Sequence, residues 1–204
     1  MKRVFVFLAA ALMLALPACS TVGNLTQGLP SVNDNGASPR KTTIQAANQA
    51  IAVMDDLTIA ANAGALPHNF LDDIVQFAPD VETRVSAYLD NTAACVVIDG
   101  SLQTDPAVGI PCSQSAFRRA FDDVSGLLLQ ATKLVDPKTD EGRAVVLAAI
   151  VLQTQLRPAA GGVWDGYSKD PDITLDVFNG MRSSLKASKD RLVEAATAAL
   201  ATKP

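Results

Sequence analysis

KTTIQAANQAIAVMDDLTIAANAG, residues 41–64, decides the fold class. Ile44, Ala47, Ile51, Met54, Thr58 and Ala61 recur in it at intervals of three and four, which puts them on one face of a helix. Gly64 supplies a C-terminal stop, and Pro67 fixes the backbone angle suited to the next helix start. The same period continues towards the C-terminus. Phe70, Leu71, Ile74, Val75 and Phe77 make a short second helix. Pro79 interrupts it, because proline has no N–H to give the preceding turn and crowds the carbonyl four residues back. Val81, Val85, Tyr88, Leu89, Thr92 and Val96 carry a third helix, or the continuation of the second beyond a kink. Ala93 to Ile98 has the composition of a strand, but helical phase runs through it and no partner strand is evident, so it reads as helix.

Ser113 or Ser115 caps a further helix lined by Phe117, Phe121, Val124, Leu128, Ala131 and Val135. Asp136-Pro137 then signals another start, with Asp140 and Glu141 near the positive end of its dipole. That helix runs to about Arg157 through Val145, Ala148, Ala149, Leu152 and Leu156, until Pro158 and Gly161-Gly162 break it. A last, long helix spans about Asp172 to Ala201. Leu175, Phe178, Arg182, Leu185, Ser188, Leu192, Ala195 and Ala199 form its stripe, polar in the middle. No segment alternates with period two, so sheet content near zero is expected. No repeat of 20 to 50 residues argues for a solenoid. The expected fold is all-α: an up-down bundle of about four to six helices over residues 41–204. Its interior is rich in alanine, and aromatics are 5% of the chain, so helices can approach closely.

The N-terminus reads differently. Lys2 and Arg3 precede 13 residues without a charge, Val4 to Leu16, and then Pro17, Ala18 and Cys19. This is the layout of a secretory signal peptide over residues 1–18, too short in its apolar part to cross a hydrocarbon core of about 30 Å. Leu16-Pro17-Ala18-Cys19 resembles the lipobox of bacterial lipoproteins. That resemblance implies a diacylglyceryl-modified Cys19 as the mature N-terminus and a membrane as first partner, through the lipid. Ser20, which is not Asp, implies the outer membrane, facing the periplasm. Each buried acyl methylene contributes about 0.8 kcal/mol, so several chains make a stable anchor. Residues 19–40 then form a lipid-anchored flexible linker, with Gly23, Gly28, Pro30, Asn33, Asp34, Asn35, Gly36 and Pro39 and scarcely any apolar period. Twenty such residues have a root-mean-square reach of about 25 Å.

Removing residues 1–18 takes Lys2 and Arg3 away. The 204-residue chain becomes 186 residues with 15 basic against 21 acidic groups, a net charge of −6. Such a chain lacks the cationic surplus that phosphate neutralisation needs, so nucleic acid is excluded as a partner. Cys95 and Cys112 remain after Cys19 is assigned to the lipid. An even pair in an oxidising compartment implies a disulfide, which across 17 residues stabilises the fold by roughly 3 kcal/mol.

Candidate chemistry is sparse. His68, the only histidine, stands in a first helical turn with Asp72 four residues on, the spacing of a surface hydrogen bond and not of a metal site. Ser183-Ser184-Leu185-Lys186 matches the Ser-x-x-Lys element of penicillin-recognising enzymes, but the companion Ser-x-Asn and Lys-Thr-Gly elements are missing. Asn33 to Gly36 and Asp165, Asp170 and Asp172 lack the bidentate glutamate of a calcium loop and read as turns. Neither a cofactor nor a metal is expected. Trp164 and Tyr167 share the glycine-rich stretch Gly161 to Tyr167, where they serve as a partner or ligand anchor, or where Trp164 plugs one end of the bundle. The functional expectation is a non-enzymatic structural or interaction module of the cell envelope, with an envelope protein as partner. A periplasmic small-ligand or carbohydrate binder is the alternative, and an envelope enzyme without a recognisable motif is the second alternative.

Overall fold

Helix α1 (Pro39–Asn62) carries the stretch that decided the fold class. The structure, a computed structural model, describes residues 39–151 and 173–202. Gly64 ends α1 as its spacing implies, at a φ of 65°, where a side chain would be strained. Its N–H donates to the Ala61 carbonyl while the Ala65 N–H reaches back to Ala60, the paired closure of a Schellman motif. The buried face of α1 is centred on Ala46, Ala50, Val53 and Leu57, whereas Ile44, Ile51 and Thr58 are half-buried. The centre of the stripe is displaced because α1 packs against all four other helices, so more than one face must be buried.

Helix α2 (His68–Ala93) continues through Pro79 as a single element. The second and third sequence segments are therefore one helix. Val81, Val85, Tyr88 and Leu89 beyond the proline are wholly buried, and that packing outweighs the single hydrogen bond lost to the ring. After α2 the chain departs from the all-helical expectation. Strands β1 (Cys95–Ile98) and β2 (Ser101–Thr104) pair antiparallel, with Cys95 opposite Thr104 and Ile98 opposite Ser101. Asp99 and Gly100 form the two-residue turn with φ of 50° and 75°. Two positive φ values suit the right-handed twist of a hairpin, and Asp-Gly is a favoured sequence for them. The helical reading of Ala93 to Ile98 is thus corrected from Cys95 onward: the missing partner strand lies just beyond the turn.

Helix α3 (Gln114–Ala131) is capped by Ser113, whose Oγ accepts from the Ala116 N–H at 3.3 Å. Phe117, Phe121, Val124, Leu128 and Ala131 are all buried, as their spacing predicts. Helix α4 (Asp140–Val151) starts later than Asp136-Pro137 suggested. Thr139 is the cap, its Oγ1 accepting from the Gly142 N–H at 3.0 Å, while Asp136 closes a turn before it. Gly142 is needed there, because a Cβ would stand 1.9 Å from the Asp136 carbonyl oxygen. Helix α5 (Leu175–Ala201) buries Phe178, Leu185, Ser188, Leu192 and Ala195 of the expected stripe.

Among the described residues the fold is therefore five helices and one small hairpin, an all-α bundle. Helix α5 packs chiefly against α1 and α2, α3 against α2, and α4 against α1. Cross-helix contacts set the directions. Arg182 meets Asp90 and Lys189 meets Glu82, so numbers rise on α5 as they fall on α2 and the two run antiparallel. Asp55 of α1 meets Arg191 of α5, and the start of α1 lies beside the start of α5, so those two run parallel. Between α2 and α3, the Tyr88 ring packs at 5.2 Å from Phe117 and 5.7 Å from Phe121, a geometry that favours aromatic pairs.

Candidate functional site at the hairpin end of the bundle

The helix directions bring three segments to one end of the bundle: the start of α1, the end of α2 with its hairpin, and the start of α5. Arg40, one residue into α1, joins them. Its Nη1 donates to the Ile173 carbonyl at 2.5 Å and its Nη2 to the Cys95 carbonyl at 3.0 Å. A guanidinium suits this task because its donors diverge in a fixed plane. Beside it, the Thr43 and Thr92 hydroxyls share a buried hydrogen bond of 2.7 Å between α1 and α2.

The hairpin is fastened twice at its base. Cys95 and Cys112 form the expected disulfide, with Cα atoms 4.8 Å apart, and the Asp105 N–H donates to the Ala94 carbonyl at 2.7 Å. The Cys112 N–H donates to Thr104 Oγ1, so the return segment lies against β2 as it enters α3. Cys95 is wholly buried, while Val97 and Ile98 towards the tip are 37% and 44% exposed. A rigid, covalently closed hairpin thus holds two β-branched side chains in solvent. Such residues contribute little to the core where they stand, and they offer apolar area to a partner with little ordering cost.

A polar seam runs along α5. Lys189 lies between Glu82 of α2 at 3.0 Å and Asp190 at 2.8 Å, and Lys186 reaches Asp190 at 2.8 Å. Hydrogen bonds from Lys186 and then Lys189 hold the Asp190 carboxyl down to about 2. Hydrogen bonding to Asp190 first and Glu82 second holds the Lys189 ammonium above its ordinary value. These groups stabilise each other's charged forms and join α5 to α2. No protein-family model matches the chain, and no curated protein or solved structure matches it.

The residues singled out by sequence fall into separate places. His68 and Asp72 are both exposed at the start of α2, and no hydrogen bond joins them. Ser183 is exposed in the middle of α5, its Oγ donating to the Asn179 carbonyl at 3.1 Å, while Lys186 is turned to Asp190. Among the described residues no cluster of three or more histidine, cysteine or acidic side chains is arranged to hold a metal, and no helix is long and apolar enough to cross a membrane. Cys19, the linker up to residue 38, the turns at Asn33 to Gly36 and at Asp165 to Asp172, and the loop carrying Trp164 and Tyr167 lie outside the described residues, while Pro39 and Arg40, expected in the linker, begin α1. Sequence reasoning missed the hairpin and Arg40. Asp99-Gly100 was a usable signal for the first; nothing local marks an arginine whose acceptors are 55 and 133 residues away.

Proposed function

We propose that the chain is an outer-membrane lipoprotein, anchored through Cys19 and facing the periplasm, whose bundle serves as an interaction module of the cell envelope. The observation that carries the compartment is the Cys95–Cys112 disulfide. Disulfides of this structural kind form and persist in oxidising compartments, the periplasm among them. The lipobox-like Leu16-Pro17-Ala18-Cys19 supplies the anchor in this reading.

The hairpin end supports the interaction role. The linker from Cys19 joins the fold at Pro39, and the segment bearing Trp164 and Tyr167 rejoins it at Ile173, both at the end where Arg40 meets Cys95. Val97 and Ile98 are exposed at the same end. A partner docking there would meet apolar side chains on a rigid frame, within reach of the membrane set by the linker.

Intact mass and membrane fractionation of the protein expressed in a two-membrane bacterium, beside Cys19→Ala, test the reading. A mature chain beginning at an acylated Cys19 in the outer-membrane fraction is expected, with Cys19→Ala released to the periplasm. An unmodified soluble wild-type species would overturn the anchor and bring forward the small-ligand alternative.

A further inference from the structure

Two grooves lie in tandem along the outer side of the seam between α2 and α3. The one nearer the hairpin, of about 320 Å³, is floored by Ala87 and Ala120 and edged by Arg84, Asn91, Arg119 and Asp123. The one farther from it, of about 350 Å³, has Phe77, Leu127 and Leu134 as its apolar part and Asp73, Asp80 and Lys133 at its edge. The antiparallel pairing of α2 and α3 sets the two end to end as a depression along one seam, with no lining residue in common. The α2 residues between Asp73 and Asn91 rise about 27 Å along the helix axis.

Charge along this depression is polarised. Two arginines against one aspartate stand at the hairpin end, and two aspartates against one lysine at the far end. Arg84 and Arg119 make no hydrogen bond or ion pair with any described residue, and the same is true of Asp73 and Asp80. Their charges are not used in holding the described helices together. The alanine floor leaves space between the two arginines, and at the far groove the half-buried Leu134 adds apolar contact area beside the buried Phe77 and Leu127. An extended chain rising about 3.3 Å per residue would span the depression with about eight residues.

We propose that the α2–α3 seam is a docking groove for an amphipathic polypeptide segment, acidic where it passes Arg84 and Arg119 and basic where it passes Asp73 and Asp80. A single small anion would use only the arginine end. The tandem grooves with reversed polarity fit a segment instead, the sign of charge changing between Asp80 and Arg84, one turn apart on α2. The inference rests on the interaction role proposed above and names a surface for it.

The test is fluorescence anisotropy at low salt with the purified full chain and three labelled peptides: Glu-Glu-Ala-Leu-Ala-Leu-Lys-Lys, the same with Glu at both ends, and the same with Lys at both ends. The bipolar peptide is expected to bind saturably, about tenfold more tightly than either single-sign peptide. Arg84→Glu with Arg119→Glu is expected to weaken the bipolar peptide about tenfold and make the lysine-ended peptide the best binder. Should that variant fail to fold, Arg84→Gln with Arg119→Gln is expected to remove the preference for the bipolar peptide without changing Tm. Equal binding of all three peptides, binding unchanged by the substitutions, or no saturation up to about 1 mM would overturn the proposal. Equal binding of the bipolar and glutamate-ended peptides would overturn it too, leaving an anion site only. These outcomes say nothing about the acylation of Cys19, so failure here and failure of the envelope reading are told apart.

Discussion

The two flanks of α2 handle charge in opposite ways. Towards α5, Asp90 is matched by Arg182 and Glu82 by Lys189, whose side chain is only 19% exposed. Towards α3, Arg84 and Arg119 line an open groove without a described partner, and Asp73 and Asp80 do the same farther along. What joins α2 to α3 lies deeper. Tyr88, Phe117 and Phe121 pack in the core between the two helices, and the Cys95–Cys112 disulfide ties the end of one helix to the entry of the other. One flank therefore adds surface ion pairs to the apolar packing of Phe178, Leu185 and Leu192 from α5, whereas the other is held by buried aromatics and a covalent bond. On the α3 flank the charged rim has no described partner, so it is the one open to docking.

The largest effect should come from removing the aromatic support. Phe117→Ala is expected to destabilise the fold by about 3–5 kcal/mol in denaturant unfolding, because a fully buried ring leaves a cavity under the seam. A loss below about 1 kcal/mol would show that the α3 flank does not depend on the cluster. Next, Cys95→Ala with Cys112→Ala should cost roughly 3 kcal/mol, read in the same way with the wild type oxidised.

Arg182→Met on the α5 flank should cost at most about 1 kcal/mol, since its pair with Asp90 is partly solvated. Arg84→Gln with Arg119→Gln should change stability by no more than about 0.5 kcal/mol. Equal and sizeable losses for these two variants would erase the contrast between the flanks. The smallest effect is pH-dependent. A carboxyl held below its ordinary value binds a proton more readily in the unfolded chain, so its contribution is present above pH 3.8 and fades as the pH falls towards about 2. Asp190→Asn should therefore flatten the acid limb of stability between those values. An unchanged slope would mean that the Lys186 and Lys189 contacts at Asp190 do not persist in solution.

Much of the fold was legible because hydrophobic period survives in the chain wherever one face is buried. Phe117, Phe121, Val124 and Leu128 on α3, and Phe178, Leu185 and Leu192 on α5, lie in the core as their spacing requires. The reading weakened where burial has no single face. Helix α1 meets four neighbours, and its core is centred on Ala46, Ala50 and Val53, since alanine allows close approach but carries little periodic contrast. It also weakened where a local rule met a stronger tertiary one. Pro79 costs α2 a hydrogen bond, yet the valines and Tyr88 beyond it bury enough apolar surface to keep the helix whole. At Cys95 the opposite happened: helical phase continued in the sequence, but Asp99-Gly100 turns the chain back on itself.

By itself the sequence determined the helical class, the positions of most helices and the pairing of Cys95 with Cys112. These depend on periodicity, on caps and breakers, and on the number of cysteines, which are written locally. Only the tertiary structure decided that Arg40 joins Ile173 to Cys95, that α5 takes the charged flank of α2, and that Arg84 and Arg119 stand across one groove without a described partner. Those are meetings of side chains far apart in the chain, set by helix direction and packing order, and no local pattern records them.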